Sequence, residues 1–289
     1  MPDVLAAPAG SIADRLAVAA RRLHGLVPDP AREARALWAA ATGTSVGEVW
    51  LHRDRLPADA VALRFTAALE QRIAGVPFGY ATGHAAFRGL DLLLDRRALI
   101  PRPETEGLVD LALQRGGSGV AADLGTGSGC IALALAVEGS FERVVAVERD
   151  PQTAALAREN VRRTAPAVSL DVREGDWCAP LAGAIYHVIV ANPPYLTSAE
   201  YARLDPSVRE YEPRAALESG ADGLDATRAI LATAGPFLAP RGALLLEIDE
   251  RRAQAVREIA DAHGWARTRI HADLFGRPRY AVVQPGEDK

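Results

Sequence analysis

The sequence has very little lysine, cysteine and methionine, and it has no long apolar run. Lys289 is the only lysine, and together with the heavy use of alanine this indicates a GC-rich coding bias, not a binding surface. The formal net charge of −4 excludes a general positive field that would gather nucleic acid. No apolar stretch reaches the roughly 18 residues that a membrane-spanning helix needs.

Cysteine and histidine give no sign of a metal or disulfide site. Cys130 and Cys178 are too few for a disulfide framework, and neither they nor the histidines have metal-ligand spacing, so we predict no metal. The N-terminus lacks the basic region and apolar core of a signal peptide. We therefore expect a cytoplasmic protein and take a monomer as the default state.

Helical patterns fill the first quarter of the chain. Serine or aspartate N-caps and a proline mark their beginnings, and Gly25 and Gly43 mark two of their ends. We predict an N-terminal helical domain over residues 1–76, which carries no cluster of titratable or ligand-type side chains. The four predicted helices run from Ser11 to His24, from Ala31 to Thr42, from Ser45 onward, and from Pro57 to about Ala74.

The pattern changes at Pro77. Phe78–Tyr80, followed by Phe87–Leu94, suggests a short hairpin, so we assign residues 77–100 to a linking hairpin. Strands and helices then alternate over residues 101–289, which predicts a doubly wound α/β sheet whose closing pair is antiparallel. The seven predicted strands span residues 120–124, 143–147, 169–173, 187–191, 243–248, 268–274 and 279–283.

A glycine-rich turn follows the first of these strands. Gly125, Thr126, Gly127, Ser128 and Gly129 open a helix, and glycine there permits positive φ and close approach of a ligand to the backbone. The spacing matches neither the dinucleotide fingerprint nor a phosphate loop. The turn therefore predicts a ligand site without a pyrophosphate.

Acidic and aromatic residues end the next two strands. Glu148 is placed to accept both hydroxyls of a ribose. Asp176 and Trp177 are placed to bond and cover an adenine edge. Three such positions at successive strand ends indicate a nucleoside without phosphate, which points to S-adenosylmethionine.

Asn192, Pro193, Pro194 and Tyr195 follow the fourth strand, and we call them the acceptor motif. Neither proline can donate to a sheet ladder, so the strand ends there and Asn192 lies at its carboxyl edge. The Asn192 side-chain carbonyl and the Pro193 backbone carbonyl can accept the two hydrogens of a planar NH2 group. Tyr195 can stack on that group.

A second proline-rich segment, Ile100–Glu106, leaves two interpretations open. The prolines keep the chain extended, and Pro103 then begins a helix with acidic residues in its first turn. Arg102 and Glu104 either belong to an ordinary helix start or face the active site.

Taken together, these motifs resemble those of the HemK/PrmC family, the N5-glutamine methyltransferases of peptide chain release factors. The resemblance covers roughly residues 15–285. Glu148 stands where the family more often has aspartate, and both side chains bind a ribose diol. The segments that carry it are Asp123–Gly129, Glu148, Asn192–Tyr195, Ile100–Glu106, Tyr211–Leu217, Gly220–Leu224 and the looser Asp273–Arg279.

The resemblance implies a class I methyltransferase fold and a defined reaction. S-adenosylmethionine would be held by the glycine turn, Glu148, Asp176, Trp177 and Asn192. Asn192 and Pro193, with Pro194 and Tyr195, would bind the glutamine amide of the Gly-Gly-Gln motif of bacterial class I release factors. The N-terminal domain would help to bind the release factor, or would only stabilise the fold.

Two other functions fit parts of the pattern. A nucleic-acid amino-methyltransferase acting on adenine N6 or guanine N2 would meet the same NH2 group, but it needs a basic stripe for phosphate. A non-catalytic S-adenosylmethionine-binding regulator would have no use for two acceptors aimed at a substrate NH2.

Overall fold

The structure of the protein, a computed structural model, describes residues 10–115 and 119–286. The chain divides into two compact units, of which one ends at His84 and the other begins at Ala85. The outermost residues of the predicted domains, 1–9 and 287–289, lie outside the described residues. No helix within the described ranges is long and apolar enough to cross a membrane.

Helices make up the first unit, and their caps explain where they begin. Ser11 forms a capping box with Asp14, and Asp29 accepts a hydrogen bond from the Arg32 amide. The core of the unit contains Trp38 and Phe65, whose ring centroids lie 4.7 Å apart. The helices are α1 (Ile12–Arg22), α2 (Pro30–Thr42), α3 (Val46–Leu51), α4 (Asp59–Ile73) and α5 (Phe78–Thr82).

The structure contains the four predicted helices of this unit, with α4 beginning at Asp59 instead of Pro57. The interpretation of Phe78–Tyr80 as part of a hairpin is wrong. Pro77 stands at the N-cap of α5, and Gly83, with φ 76°, ends it after little more than a turn. A helix this short shows no periodicity in the sequence. The hairpin consists of β1 (His84–Phe87) and β2 (Leu90–Leu93), which pair with each other.

A seven-stranded sheet forms the centre of the second unit, in the order β5-β4-β3-β6-β7-β9-β8. Only β9 runs opposite to its neighbours β7 and β8, which confirms the predicted α/β class and its antiparallel closing pair. The strands are β3 (Val120–Leu124), β4 (Arg143–Glu148), β5 (Ser169–Glu174), β6 (Tyr186–Ala191), β7 (Leu238–Glu247), β8 (Arg267–Ala272) and β9 (Pro278–Gln284).

Helices cover both faces of this sheet. Successive residues of a strand point to opposite faces, so Val144 of β4 packs in one apolar core and Val145 in the other. Leu108 and Leu133 cover the first face, and Ile230 and Val256 the second. The helices are α6 (Pro103–Leu113), α7 (Cys130–Glu138), α8 (Pro151–Thr164), α9 (Ser198–Tyr201), α10 (Pro206–Arg209), α11 (Asp225–Thr233) and α12 (Ala253–Ala262).

Strand β7 is longer than predicted. It begins at Leu238, which pairs with Tyr186, and the register then shifts before Ala243 pairs with Val188. The extra residues form a bulge in which Arg241 has φ 68°. Because the bulge contains a proline and a glycine, the sequence there is typical of a turn.

The strand order places one switch point at the centre of the sheet. The chain proceeds outward from β3 through β4 to β5 and then returns to the other side of β3 as β6. The carboxyl ends of β3, β4 and β6 therefore lie side by side, and ligands of open α/β sheets bind at such a point.

Candidate active site

The glycine loop, Gly125–Gly129, connects β3 to α7 at this switch point. Gly125, Gly127 and Gly129 have φ values of 71°, 58° and 86°, which favour glycine. A Cβ added at Gly127 would meet no protein atom within 4 Å, whereas one at Gly125 would lie 3.3 Å from the Trp177 ring. The backbone at Gly127 is therefore open to a ligand.

Buried polar groups hold the loop in place. The amides of Gly125 and Thr126 both donate to the Val147 carbonyl of β4, at 2.9 Å. The Thr126 hydroxyl donates to Asp123 Oδ2 at 2.6 Å, and burial raises the pKa of Asp123 to about 7. Asp123 Oδ1 is buried without a partner in the described part of the chain.

Asn160 of α8 ties the glycine loop to the hairpin, which sequence reasoning missed. Its Nδ2 donates to the Ser128 carbonyl at 2.8 Å and to the Leu93 carbonyl at 3.0 Å, and its Oδ1 accepts from the Leu93 amide at 2.7 Å. The side chain is fully buried. Nothing in the local sequence distinguishes it from a surface asparagine on a helix.

Glu148, at the end of β4, borders the glycine loop. Its Oε2 accepts from the Gly127 amide at 3.0 Å, and its Oε1 accepts from the amides of Arg149 and Asp150 at 2.8 and 3.0 Å. Each carboxylate oxygen can accept more than one hydrogen bond. The group is therefore held in one orientation and can still accept from a diol.

Most of the sequence-predicted ligand residues line one cavity of about 630 Å³, a size typical of a small-molecule site. Trp177, with φ 41°, packs its ring against the glycine loop. The Asp176 carboxylate lies 3.9 Å from the Arg149 guanidinium. The residues brought together here are Gly125, Thr126, Gly127, Ser128, Glu148, Asp176, Trp177, Asn192 and Pro194; Gly129, Pro193 and Tyr195 are not part of the lining.

The acceptor motif leaves β6 at the edge of this cavity. Pro193 is buried, and Tyr195 is half-buried, with burial raising its pKa to about 12, so that its phenol is neutral at neutral pH. No described residue donates to Asn192 Oδ1 or to the Pro193 carbonyl. Neither acceptor that the sequence predicts is therefore occupied by a donor from the described residues.

A hydrogen-bonded relay behind Asn192 was not predicted. Asn192 Nδ2 donates to Thr105 Oγ1 at 3.1 Å, and the Thr105 hydroxyl donates to Glu247 Oε2 at 2.7 Å. Thr105 and Glu247 are both buried, and burial raises the pKa of Glu247 to about 7. In the sequence, the only signs of this relay are a threonine in the proline-rich segment and an acidic residue at the end of the strand that became β7.

The segment between α10 and α11 supports the motif from the other side. Leu196 donates to the Leu217 carbonyl at 2.9 Å and accepts from the Ser219 amide at 2.8 Å. Gly223, with φ 76°, leaves room for the chain because a Cβ there would lie 2.3 Å from the Tyr195 carbonyl oxygen.

Arg102 lines the cavity and pairs with the buried Glu212 carboxylate at 2.6 Å. Glu104 is not among the lining residues, and its backbone carbonyl accepts from the Tyr280 hydroxyl at 2.6 Å. Of the two residues that the sequence left open, only Arg102 borders the cavity. In the described ranges, no group of three or more histidine, cysteine, aspartate or glutamate residues could hold a metal ion.

Replacing Glu247 with glutamine is expected to alter how stability depends on pH between about pH 4.5 and 7. A carboxyl with a higher pKa in the folded chain binds a proton there, so its contribution to the free energy of unfolding falls as the pH rises. Glutamine has a similar shape and does not titrate. Urea unfolding of both proteins across this range measures the difference, and equal slopes would show that the pKa of Glu247 is not raised.

Comparison with known proteins identifies the relatives of this chain. Residues 105–204 match the family model described as a methyltransferase small domain, and residues 14–83 match that of the PrmC N-terminal domain. A release factor glutamine methyltransferase from Cereibacter sphaeroides is 42% identical over 269 residues, covering 92% of this chain and 96% of the relative. One from Moorella thermoacetica is 39% identical, covering 94% and 98%.

The chain belongs to the release factor glutamine methyltransferase family. Solved structures of more distant methyltransferases share the fold. A methyltransferase from Pyrococcus furiosus has a TM-score of 0.52 at 23% identity, covering 68% of this chain and 89% of that one. The catalytic domain of hMettl16 has a TM-score of 0.54 at 18% identity, covering 78% and 82%. The family members match both units of the chain, whereas these structures show the fold alone.

Proposed function

We propose that this protein transfers a methyl group from S-adenosylmethionine to the side-chain amide nitrogen, N5, of a glutamine. The glutamine is that of the Gly-Gly-Gln motif in bacterial class I peptide chain release factors. The observation that carries the proposal is Asn192, whose Nδ2 is engaged by Thr105 and whose Oδ1 is left to accept at the edge of the cavity. The curated relatives support the same reaction by their names.

The residues around the cavity fit S-adenosylmethionine. The open backbone at Gly127 and the fixed Glu148 carboxylate suit a nucleoside, with Glu148 accepting from the ribose hydroxyls and Asp176 bonding the adenine. Trp177 would cover the adenine edge. When bound, S-adenosylmethionine supplies an electrophilic methyl group on a sulfonium.

The acceptor motif makes the amide nitrogen reactive. A free amide nitrogen is a poor nucleophile because its lone pair is delocalised into the carbonyl. By accepting one hydrogen at Asn192 Oδ1 and the other at the Pro193 carbonyl, the protein favours a tetrahedral nitrogen and stabilises its developing positive charge. Tyr195 would pack on the amide, and Pro194 would shape the turn. The proton can leave after transfer, so no strong base is required.

The N-terminal helical domain is proposed to recognise the release factor. It exposes several large apolar side chains within and after α3, and such groups on a surface favour contact with another protein. Trp50 is 58% exposed and Leu51 is 67% exposed, and Arg53 lies over the Trp50 ring at 4.1 Å. An exposed apolar surface with a flanking cation suits a protein partner.

A methylation assay tests the function. The protein and labelled S-adenosylmethionine are incubated with an unmodified release factor, with its Gly-Gly-Gln→Gly-Gly-Ala variant, and with total tRNA or DNA. Label on the unmodified factor alone, located at the glutamine by peptide mass spectrometry, is the expected result. Label on nucleic acid and none on the factor would overturn the proposal.

In the same assay, Leu51→Glu is expected to raise the KM for the release factor but not that for S-adenosylmethionine.

A further inference from the structure

We propose that Thr105 and Glu247 are positioning residues that decide which end of the Asn192 amide faces the substrate. This inference rests on the proposed function, because it assigns to the pair the selection of a hydrogen-bond donor, the glutamine NH2, at the acceptor motif. Neither residue would touch the reacting atoms. Their effect would pass through Asn192.

The three residues come from separate parts of the fold. Asn192 directly follows β6, and the register that pairs Ala191 with Leu246 puts Asn192 beside Glu247, the last residue of β7. Thr105 lies in the first turn of α6 and bridges the two. Thr105 and Glu247 are each only 2% exposed. Bulk water therefore cannot replace the hydrogen bond from Thr105 to Glu247 or the one from Asn192 to Thr105.

The direction of these hydrogen bonds fixes the Asn192 amide. A threonine hydroxyl has one hydrogen, and when the Glu247 carboxyl is ionised, as it increasingly is above pH 7, Thr105 gives that hydrogen to Glu247 Oε2. Toward Asn192, Thr105 can then only accept, so the NH2 end of Asn192 must face it. The reversed amide would set the Asn192 oxygen against a threonine oxygen that has no hydrogen left to donate, an unfavourable contact in this partly buried place. Asn192 Oδ1 is thereby directed to the open side.

Thr105 is itself held by contacts that do not involve the substrate. The Tyr280 hydroxyl donates to the Glu104 carbonyl at 2.6 Å, which joins the first turn of α6 to β9. Gly107 allows this approach, since a Cβ there would lie 2.3 Å from the Tyr280 hydroxyl oxygen. The relay therefore exists before the substrate arrives, which is what preorganisation of an acceptor requires.

The binding preference between a glutamine and a glutamate substrate reports the orientation of Asn192. Glutamine presents NH2 hydrogens to the Asn192 oxygen, whereas the glutamate carboxylate in a Gly-Gly-Glu release factor would favour a reversed Asn192 that presents its own NH2. A residue that only supports the fold would leave this preference unchanged. The measured quantity is the ratio of the dissociation constants of the two release factors.

Thr105→Val removes the hydroxyl and keeps the shape of the side chain, and Thr105→Ser is the matched control that keeps the hydroxyl. For the valine variant we expect kcat/KM to fall about tenfold or more and the Gln/Glu dissociation ratio to move toward one by about tenfold. Affinity for S-adenosylmethionine should change much less than the ratio, although Thr105 also borders the cavity. The serine variant should behave like wild type in all three measurements. An unchanged ratio in the valine variant overturns the inference.

A second variant covers the case in which Thr105→Val does not fold because the buried Glu247 loses its donor. The double variant Thr105→Val/Glu247→Met removes both polar partners, and such paired replacements are better tolerated. It should show the same loss of preference, and a wild-type ratio in it overturns the inference. If the wild-type protein methylates no release factor, the proposed function itself fails and the inference falls with it. Wild-type activity with an unchanged ratio in the variants overturns the inference alone.

Discussion

Replacing Asn192 with alanine is expected to lower kcat/KM for the release factor by about 10²–10³-fold, the loss typical of removing one preorganised group from a reacting centre. The alanine removes the oxygen that would accept from the glutamine NH2, and the Pro193 carbonyl alone cannot hold both hydrogens. Because Glu148 and the glycine loop remain intact, affinity for S-adenosylmethionine should be almost unchanged.

Initial rates of methyl transfer and calorimetric titration with S-adenosylmethionine measure the two effects separately. The titration also serves as the folding control, since a protein that binds its cofactor normally has kept the cavity. A variant that retains its rate would show that Asn192 does not act on the amide. A variant that loses both properties would mean that Asn192 stabilises the cavity as a whole.

The second large effect is expected at Gly127, where alanine should weaken S-adenosylmethionine binding at least about tenfold. The new Cβ would project into the cavity, because no protein atom lies within 4 Å of it. Alanine at φ 58° also costs about 1–2 kcal/mol of stability for its left-handed backbone. Calorimetric titration with S-adenosylmethionine measures the affinity and tests the prediction.

Gly264 provides the matched control for this substitution. It follows α12, has φ 75°, and likewise has no atom within 4 Å of an added Cβ, but it does not line the cavity. Gly264→Ala should therefore show a similar fall in the free energy of unfolding and normal binding. Equal binding by the two variants would mean that the backbone at Gly127 does not approach the ligand.

What the sequence predicts best is the set of short motifs at the ends of strands. Gly125–Gly129 and Asn192 directly follow apolar strands, Glu148 ends one, and the topology brings the ends of parallel strands to one edge of the sheet. In the structure, all of these residues except Gly129 line one cavity. Local patterns suffice here because the carboxyl ends of parallel strands share one edge of the sheet, whatever the order of the strands.

The contacts that support the site were not predictable in this way. Thr105 and Glu247 are 142 residues apart, and their hydrogen bond depends on how α6 is seated on the sheet and on the register of β7. Asn160 acts through two segments distant in sequence, Leu93 and Ser128. A buried polar side chain is identified by its partners in three dimensions, and no periodicity in the sequence records them.

The bonds that Glu148 makes limit what evolution and mutagenesis can do at this position. The same carboxylate that is proposed to bind the ribose also accepts hydrogen bonds from three backbone amides, that of Gly127 in the glycine loop and those of Arg149 and Asp150 after β4. A change that weakens the ligand contact therefore also loosens the loop that shapes the cavity. Through this one side chain, a bound ligand should stabilise the glycine loop against heat, proteolysis and hydrogen exchange. An ordered loop should in turn strengthen ligand binding.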